Sequence, residues 1–256
     1  MALKEILLAF IAGAGGALSV KAIELWIRRS EKKETAKNII KKNLDPILKA
    51  TDDLVGKLYS LQRKDFLSMP KKADNHSIEK EIETTNLSYY FANFWARIQI
   101  LRQESIYVNL NSTTEGKHLQ NFIRTLEIKE VRLLDRALQR GIGESIIIKN
   151  NNGQLDTLNY FEFVEKYDQS ARLKMWFEPL CLFFNNLSNC RSLQRTLVYG
   201  EIVHSLLDTL DSKHYYARKR PAWPNKLTKK NRKDLRFRIF KNYLPFVKNP
   251  EKYFNI

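Results

Sequence analysis

The chain has 256 residues, 43% of them hydrophobic and 28% charged, and its 44 Lys/Arg against 28 Asp/Glu give a formal net charge of +16. That composition excludes a disordered chain and suits one sizeable core or two. Only two cysteines occur, Cys181 and Cys190, which excludes a disulfide framework and zinc-finger spacing and fits a reducing compartment.

Residues 6–27 (ILLAFIAGAGGALSVKAIELWI) carry no charge until Lys21 and Glu24. As a helix rising about 1.5 Å per residue, the whole stretch is long enough for a hydrocarbon core of about 30 Å. This requires Lys21 to snorkel along its aliphatic stem and Trp26 to lie at headgroup level. The expectation is a single transmembrane helix. Ala9, Gly13 and Ala17 fall four apart on one face, a small-xxx-small pattern that lets two such helices approach in lipid. A cleaved signal peptide competes with this reading, but the start offers only Lys4 beside Glu5 and no cleavage site follows. A buried core helix competes too, because the uncharged part is short for a span. After the stretch come Arg28, Arg29, Lys32, Lys33, Lys37, Lys41 and Lys42 against Glu31 and Glu34. The positive-inside rule then puts the N-terminus outside and the bulk of the chain in the cytosol.

Residues 28–42 read as a basic juxtamembrane helix, and residues 43–212 as a cytosolic helical domain. Asp45-Pro46 looks like an N-cap with Pro at the first helical position. The helix that follows fades near Pro70, and residues 71–77 (KKADNHS) have loop composition. Residues 86–104 place Leu87, Tyr90, Phe91, Phe94, Trp95, Ile98 and Leu101 on one face, the expected centre of the core. Residues 106–111 look extended. Helices are expected over residues 117–126 and again around Val131 to Leu138, the second ending at Arg140-Gly141 on a left-handed glycine. Residues 145–158 give the one hairpin signal, a β-branched run leading into Asn152-Gly153. Asn159 can cap a helix over residues 160–167. Two further helices are expected, over residues 171–186, bent or started by Pro179, and over residues 192–210.

Residues 213–256 form a basic aromatic tail with 14 Lys/Arg against Asp234 and Glu251, so that charge is concentrated at the two flanks of a near-neutral domain. Such flanks call for an anionic partner. Arg28, Arg29, Lys32 and Lys33, with Arg218, Lys219, Arg220, Lys229, Lys230, Arg232 and Lys233, are the expected contacts to anionic lipid headgroups. The same mixture of cations and rings suits a nucleic acid, which ranks lower because a tether already holds the chain at the bilayer. The bland alternative is a tail that docks on its own domain through its aromatics.

No motif names a reaction. Glu201-x-x-His204 and Glu115-x-x-His118 share a di-iron step, but the two further carboxylates such a site needs are missing. Arg195 and His204 have eight residues between them, more than helical ribonuclease pairs favour. There is no phosphate-cradling glycine loop and no nucleophile motif. Neither a cofactor nor a metal is expected. The runs YFANFWARIQILRQESIYVNLN, RALQRGIGE and LNYFEFVEKY, with the hairpin between them, resemble a group of uncharacterised bacterial membrane-anchored proteins over roughly residues 85–210. The resemblance implies a bacterial origin and an anchor followed by a helical domain, and brings no site residues. The expected fold is mainly α, and the expected role is a non-enzymatic, single-pass, membrane-tethered binding or scaffold protein; a membrane-associated nucleic-acid-binding protein or nuclease is the alternative.

Overall fold

The structure, a computed structural model, describes the backbone of residues 2–70 and 78–256 and the side chains of residues 24–70 and 78–256. The expected loop at residues 71–77 lies outside the described residues. So do the side chains of residues 6–23 of the expected span, with its Ala9, Gly13 and Ala17 face.

The chain is mainly helical, with one small hairpin. Helix α1 runs from Ala2 to Arg63, with Pro46 inside it rather than at a helix start. Proline removes the donor that the Lys42 carbonyl would otherwise receive, at a cost of about 3 kcal/mol. Burial offsets that cost, because Ala36, Ile40, Ile47, Leu48, Leu54, Val55, Leu58 and Leu61 all enter the core. Asn43 adds a side-chain clamp, donating to the Ile39 carbonyl at 3.0 Å and to Glu104 Oε2 at 2.7 Å. N-terminal to Ala36, α1 is exposed at every described position from Glu24 to Thr35 and projects from the core as a stalk. Among the described residues, no helix is long and apolar enough to cross a membrane.

Helix α2 (Ile78–Glu104) packs against α1 and α4 and is buried almost throughout from Leu87 to Leu101. A 3₁₀ turn, Leu110–Ser112, stands where an extended piece was expected. Helix α3 (Thr114–Leu126) is capped by Thr113, whose side chain accepts from the Gly116 N–H. Helix α4 (Arg136–Ser145) continues past Gly141, the expected stop. Its Gly143 lies on the α2 backbone, where an added Cβ would come within 2.8 Å of the Trp95 carbonyl carbon. Close packing, not a left-handed cap, therefore accounts for the glycines here. Glu127, beyond α3, binds Arg102 at 2.8 Å and Arg140 at 2.7 Å, tying together the ends of three helices.

Strands β1 (Ile147–Lys149) and β2 (Leu155–Thr157) pair antiparallel in the register Ile147↔Thr157. Gly153, at φ 73°, donates to the Asn150 carbonyl at 2.9 Å, and Asn152 keeps negative φ. The link is thus a turn closed by one left-handed glycine, not the two-residue Asn-Gly turn expected. Asn159 and Glu162 form a reciprocal capping box at the start of α5 (Tyr160–Gln169). Helix α6 (Ala171–Asn185) passes through Pro179. Helix α7 (Cys190–Leu210) is buried from Thr196 to Leu207 except at Val198, which is half-buried, and shares the centre of the molecule with α2.

The basic tail belongs to the same core. Trp223, Leu227, Leu235, Ile239, Phe240, Leu244, Val247, Tyr253 and Phe254 are all buried and join one hydrophobic cluster with α1, α2 and α7. The tail runs along α1: Tyr216 bonds Asp45 at 2.9 Å, the Arg218 N–H bonds Asp52 at 3.2 Å, and Lys226 pairs with Asp65 at 2.6 Å. It then forms α8 (Lys229–Asp234), which continues into a π-helical turn, Leu235–Phe240.

Candidate functional site

Helix α7 carries two groups of polar side chains, at opposite ends and of opposite character. Near its C-terminal end, Glu201, His204 and Asp208 lie on one face at i, i+3 and i+7. Glu201 and His204 are buried, covered by Trp223 and Tyr253. Glu201 Oε1 accepts the Trp223 N–H at 2.7 Å. Gly200 leaves room for that indole, since a Cβ there would stand 2.8 Å from the ring. Asp208 accepts from the Tyr253 hydroxyl at 2.6 Å and pairs with Lys252. His204 Nε2 and His214 Nε2 approach Asp208 at 3.6 and 3.7 Å. Glu201 Oε2 and His204 Nδ1, both without a hydrogen-bond partner, face each other at 4.0 Å.

Burial raises the Glu201 carboxyl well above the usual carboxylate range, only partly opposed by the Trp223 N–H. Burial lowers His204 to about 4, against the pull of Asp208. At neutral pH His204 is therefore a neutral imidazole, beside a carboxyl that burial biases toward its protonated form. Desolvation works on Asp208 too, but His204, Lys252 and Tyr253 together hold its carboxyl below the ordinary value. No substrate reaches Glu201 or His204, so the cluster's work is to clamp residues 223 and 253 onto α7. Arg195 and His204 are nine positions apart and point to opposite faces of the helix, so the structure does not assemble them as a catalytic pair. Among the described residues, no group of three or more His, Cys, Asp or Glu side chains is placed to hold a metal ion.

At the N-terminal end of α7 the chemistry is open to solvent. A cleft of about 630 Å³ lies between the start of α7, residues 130–131 and the α8 segment. Its apolar lining is Val131, Val198, Leu235 and Ile239, and its cations are Arg191, Arg195, Lys230 and Arg238, against Glu130 and Asp234. Arg191 and Arg195 share a helix face, and the first turn of α7 holds no acidic residue. Gln194 holds the cleft together: its Oε1 accepts from the Thr228 N–H and from Asn231 Nδ2, each at 2.8 Å, and its Nε2 donates to the Lys226 carbonyl at 2.9 Å. The half-buried Arg97, Arg102, Arg132, Arg140 and Arg220 each have a carboxylate partner. Arg195 is half-buried too, yet among the described residues its guanidinium meets no acceptor. Burial and the nearby charges of Arg191 and Arg132 lower its pKa.

The residues expected to contact headgroups do not form one surface. Arg28, Arg29, Lys32 and Lys33 are exposed on the stalk. Lys33 also lines a hollow of about 470 Å³ with Lys37, Lys41 and residues 112–115. Arg218 and Lys219 are exposed beside the middle of α1, whereas Arg220 is half-buried in an ion pair with Asp52. Lys229, Lys230 and Lys233 are exposed on α8, Arg232 is half-buried, and of these four only Lys230 lines the cleft. Arg191 and Arg238 were not singled out from the sequence. The i, i+4 spacing of Arg191 and Arg195 was readable there, but nothing local announced what would face them.

No protein-family model, curated protein or solved structure matches this chain.

Proposed function

We propose that the protein is a membrane-tethered, non-enzymatic binding protein. In this reading residues 6–27 cross the bilayer and the stalk's Arg28, Arg29, Lys32 and Lys33 meet anionic headgroups on the cytosolic side. The observation that supports it most is the described base of the stalk. Leu25, Trp26 and Ile27 are 52%, 70% and 44% exposed at three successive positions that pack against no other element, and four cations follow within six residues. A helix apolar on all sides with nothing packed on it requires an apolar surrounding. A tryptophan followed by arginines and lysines suits the headgroup boundary.

The cations of α8 are not part of that contact. Tyr216 meets α1 at Asp45 and Lys226 meets it at Asp65, so the tail advances about 30 Å along the helix, away from the stalk. Arg28 lies about 25 Å beyond Asp45 in the other direction. Lys229, Lys230 and Lys233 therefore face the cytosol, far from the leaflet that Arg28 would touch.

The test is an alkaline carbonate wash of native membranes carrying the full chain or a chain truncated to start at Arg28. The full chain should resist extraction and the truncated one should wash off. The truncated chain should still bind phosphatidylserine vesicles at low salt. Replacing Arg28, Arg29, Lys32 and Lys33 with Gln should remove that binding, at about 1 kcal/mol per basic residue. A full chain that washes off would overturn the tether. Vesicle binding that survives the four substitutions and is lost on replacing Lys229, Lys230 and Lys233 would overturn the division of labour.

A further inference from the structure

We infer that the cleft between the start of α7 and α8 is a binding site for a small organic phosphate, with the phosphoryl group held by Arg191, Arg195 and Lys230 and the body of the ligand lying on Val131, Val198 and Ile239. This inference does not rest on the membrane reading. The cleft's volume of about 630 Å³ falls within the range of small-ligand pockets and is concave on an apolar floor. Its donors are the right kind and are free. The guanidinium of Arg195 is half-buried without an acceptor among the described residues, a condition it shares with Arg232 of α8, whereas half-buried Arg97, Arg102, Arg132, Arg140 and Arg220 each pair with a carboxylate. Arg191 sits one turn away on the same helix face and lines the same cleft, so two planar forks suited to phosphate oxygens are available there.

On its own this arrangement is unfavourable: like charges at i, i+4 repel, and Arg191 lies in the first turn of a 21-residue helix, where the backbone already favours an anion. A bound phosphate removes both penalties. The lining carboxylates Glu130 and Asp234 repel a continuous polyanion but leave room for one or two phosphates, which favours a small ligand over a nucleic-acid strand. Cys190 also lines the cleft and is exposed, whereas Cys181 is half-buried with its thiol pushed up by burial, so alkylation reports on the cleft selectively.

The experiment uses the full chain in detergent micelles, with calorimetry and the rate of Cys190 alkylation as readouts. The probes are inorganic pyrophosphate, ADP and short-chain dihexanoyl phosphatidic acid. ADP is expected to bind more tightly than pyrophosphate, because it covers the apolar floor, and to slow alkylation of Cys190. Arg195→Gln and Lys230→Gln should each weaken binding about tenfold, the loss of one charge-assisted hydrogen bond. Lys219→Gln, outside the cleft, should leave binding unchanged. If phosphatidic acid alone binds with this pattern, the site stands and its phosphate comes from a lipid. If none of the three probes protects Cys190 in the wild-type chain, or if both cleft variants bind as wild type does, the inference is overturned.

Discussion

Glu201 and His204 are opposed titrating groups locked into one buried space, and their opposition has a measurable consequence. His204 is lowered from 6.5 to about 4, so between those values the unfolded chain holds a proton that the folded chain refuses. Its contribution to stability therefore rises with pH across that window. Glu201 is raised above 4.5, so above that pH the folded chain keeps a proton that the unfolded chain has lost. Its contribution falls as pH rises. The two contributions therefore oppose each other just above pH 4.5, where His204 adds stability with rising pH and Glu201 takes it away. Glu201→Gln keeps an acceptor for the Trp223 N–H and turns an amide N–H₂ toward His204 Nδ1. It removes only the falling slope. Urea denaturation from pH 4.5 to 6.5 should show the variant's stability rising more steeply with pH than wild type's. Identical slopes would mean that burial does not raise the Glu201 carboxyl in the fold.

At the scale of elements, local signals were read correctly where the next few residues decide the outcome. The Asn159 cap, the aromatic face of α2 and the hairpin around Gly153 were all legible, while the reciprocal bond from Glu162 that completes the box at Asn159 was not. They failed where a distant partner decides. Pro46 and Gly141 looked like helix punctuation, but both helices continue because burial on either side outweighs the local cost. Gly143 is small because α2 lies against it. Gly143→Ala should therefore destabilise by about 1–3 kcal/mol through overpacking, read as a loss in thermal melting temperature; an unchanged melt would mean that α4 does not rest on the Trp95 backbone.

The tail was read as a separate segment because its charge and its prolines dominate the composition, while its buried positions follow no simple period. Trp223 and Tyr253 owe their burial to Glu201, His204 and Asp208, which lie earlier in the chain on α7. The cleft was invisible for the same reason: Arg191 and Arg195 are local neighbours, but Lys230 and Arg238 are brought near them by the bonds of Gln194 and the burial of Leu235 and Ile239. Truncation after Ser212 removes ten buried apolar residues from the core, among them Trp223, Leu235 and Tyr253. Such a chain should lose cooperative unfolding in a thermal melt followed by circular dichroism. Retention of a sharp transition with native helicity would show that the tail is dispensable to the fold.

For the whole molecule, the decisive feature is the length of α1. A single helix carries the stalk's cations at one end and receives residues 216–226 along its other half, so the stalk's cations and those of α8, alike in composition, are held far apart. The account therefore gives them different partners: headgroups for the stalk, and an organic phosphate for the cleft beyond Asp65. The most direct measurement places one fluorophore at a time in full-length protein reconstituted in bilayers containing an acceptor-labelled lipid. One label is attached at Cys190 and the other at Ser30→Cys in a Cys190→Ser background. The account predicts strong energy transfer from position 30 and weak transfer from Cys190, a separation from the headgroups of about 50 Å along the helix. Equal, strong transfer from both positions would mean that α1 lies along the membrane and that both basic regions meet the same surface, which would contradict it.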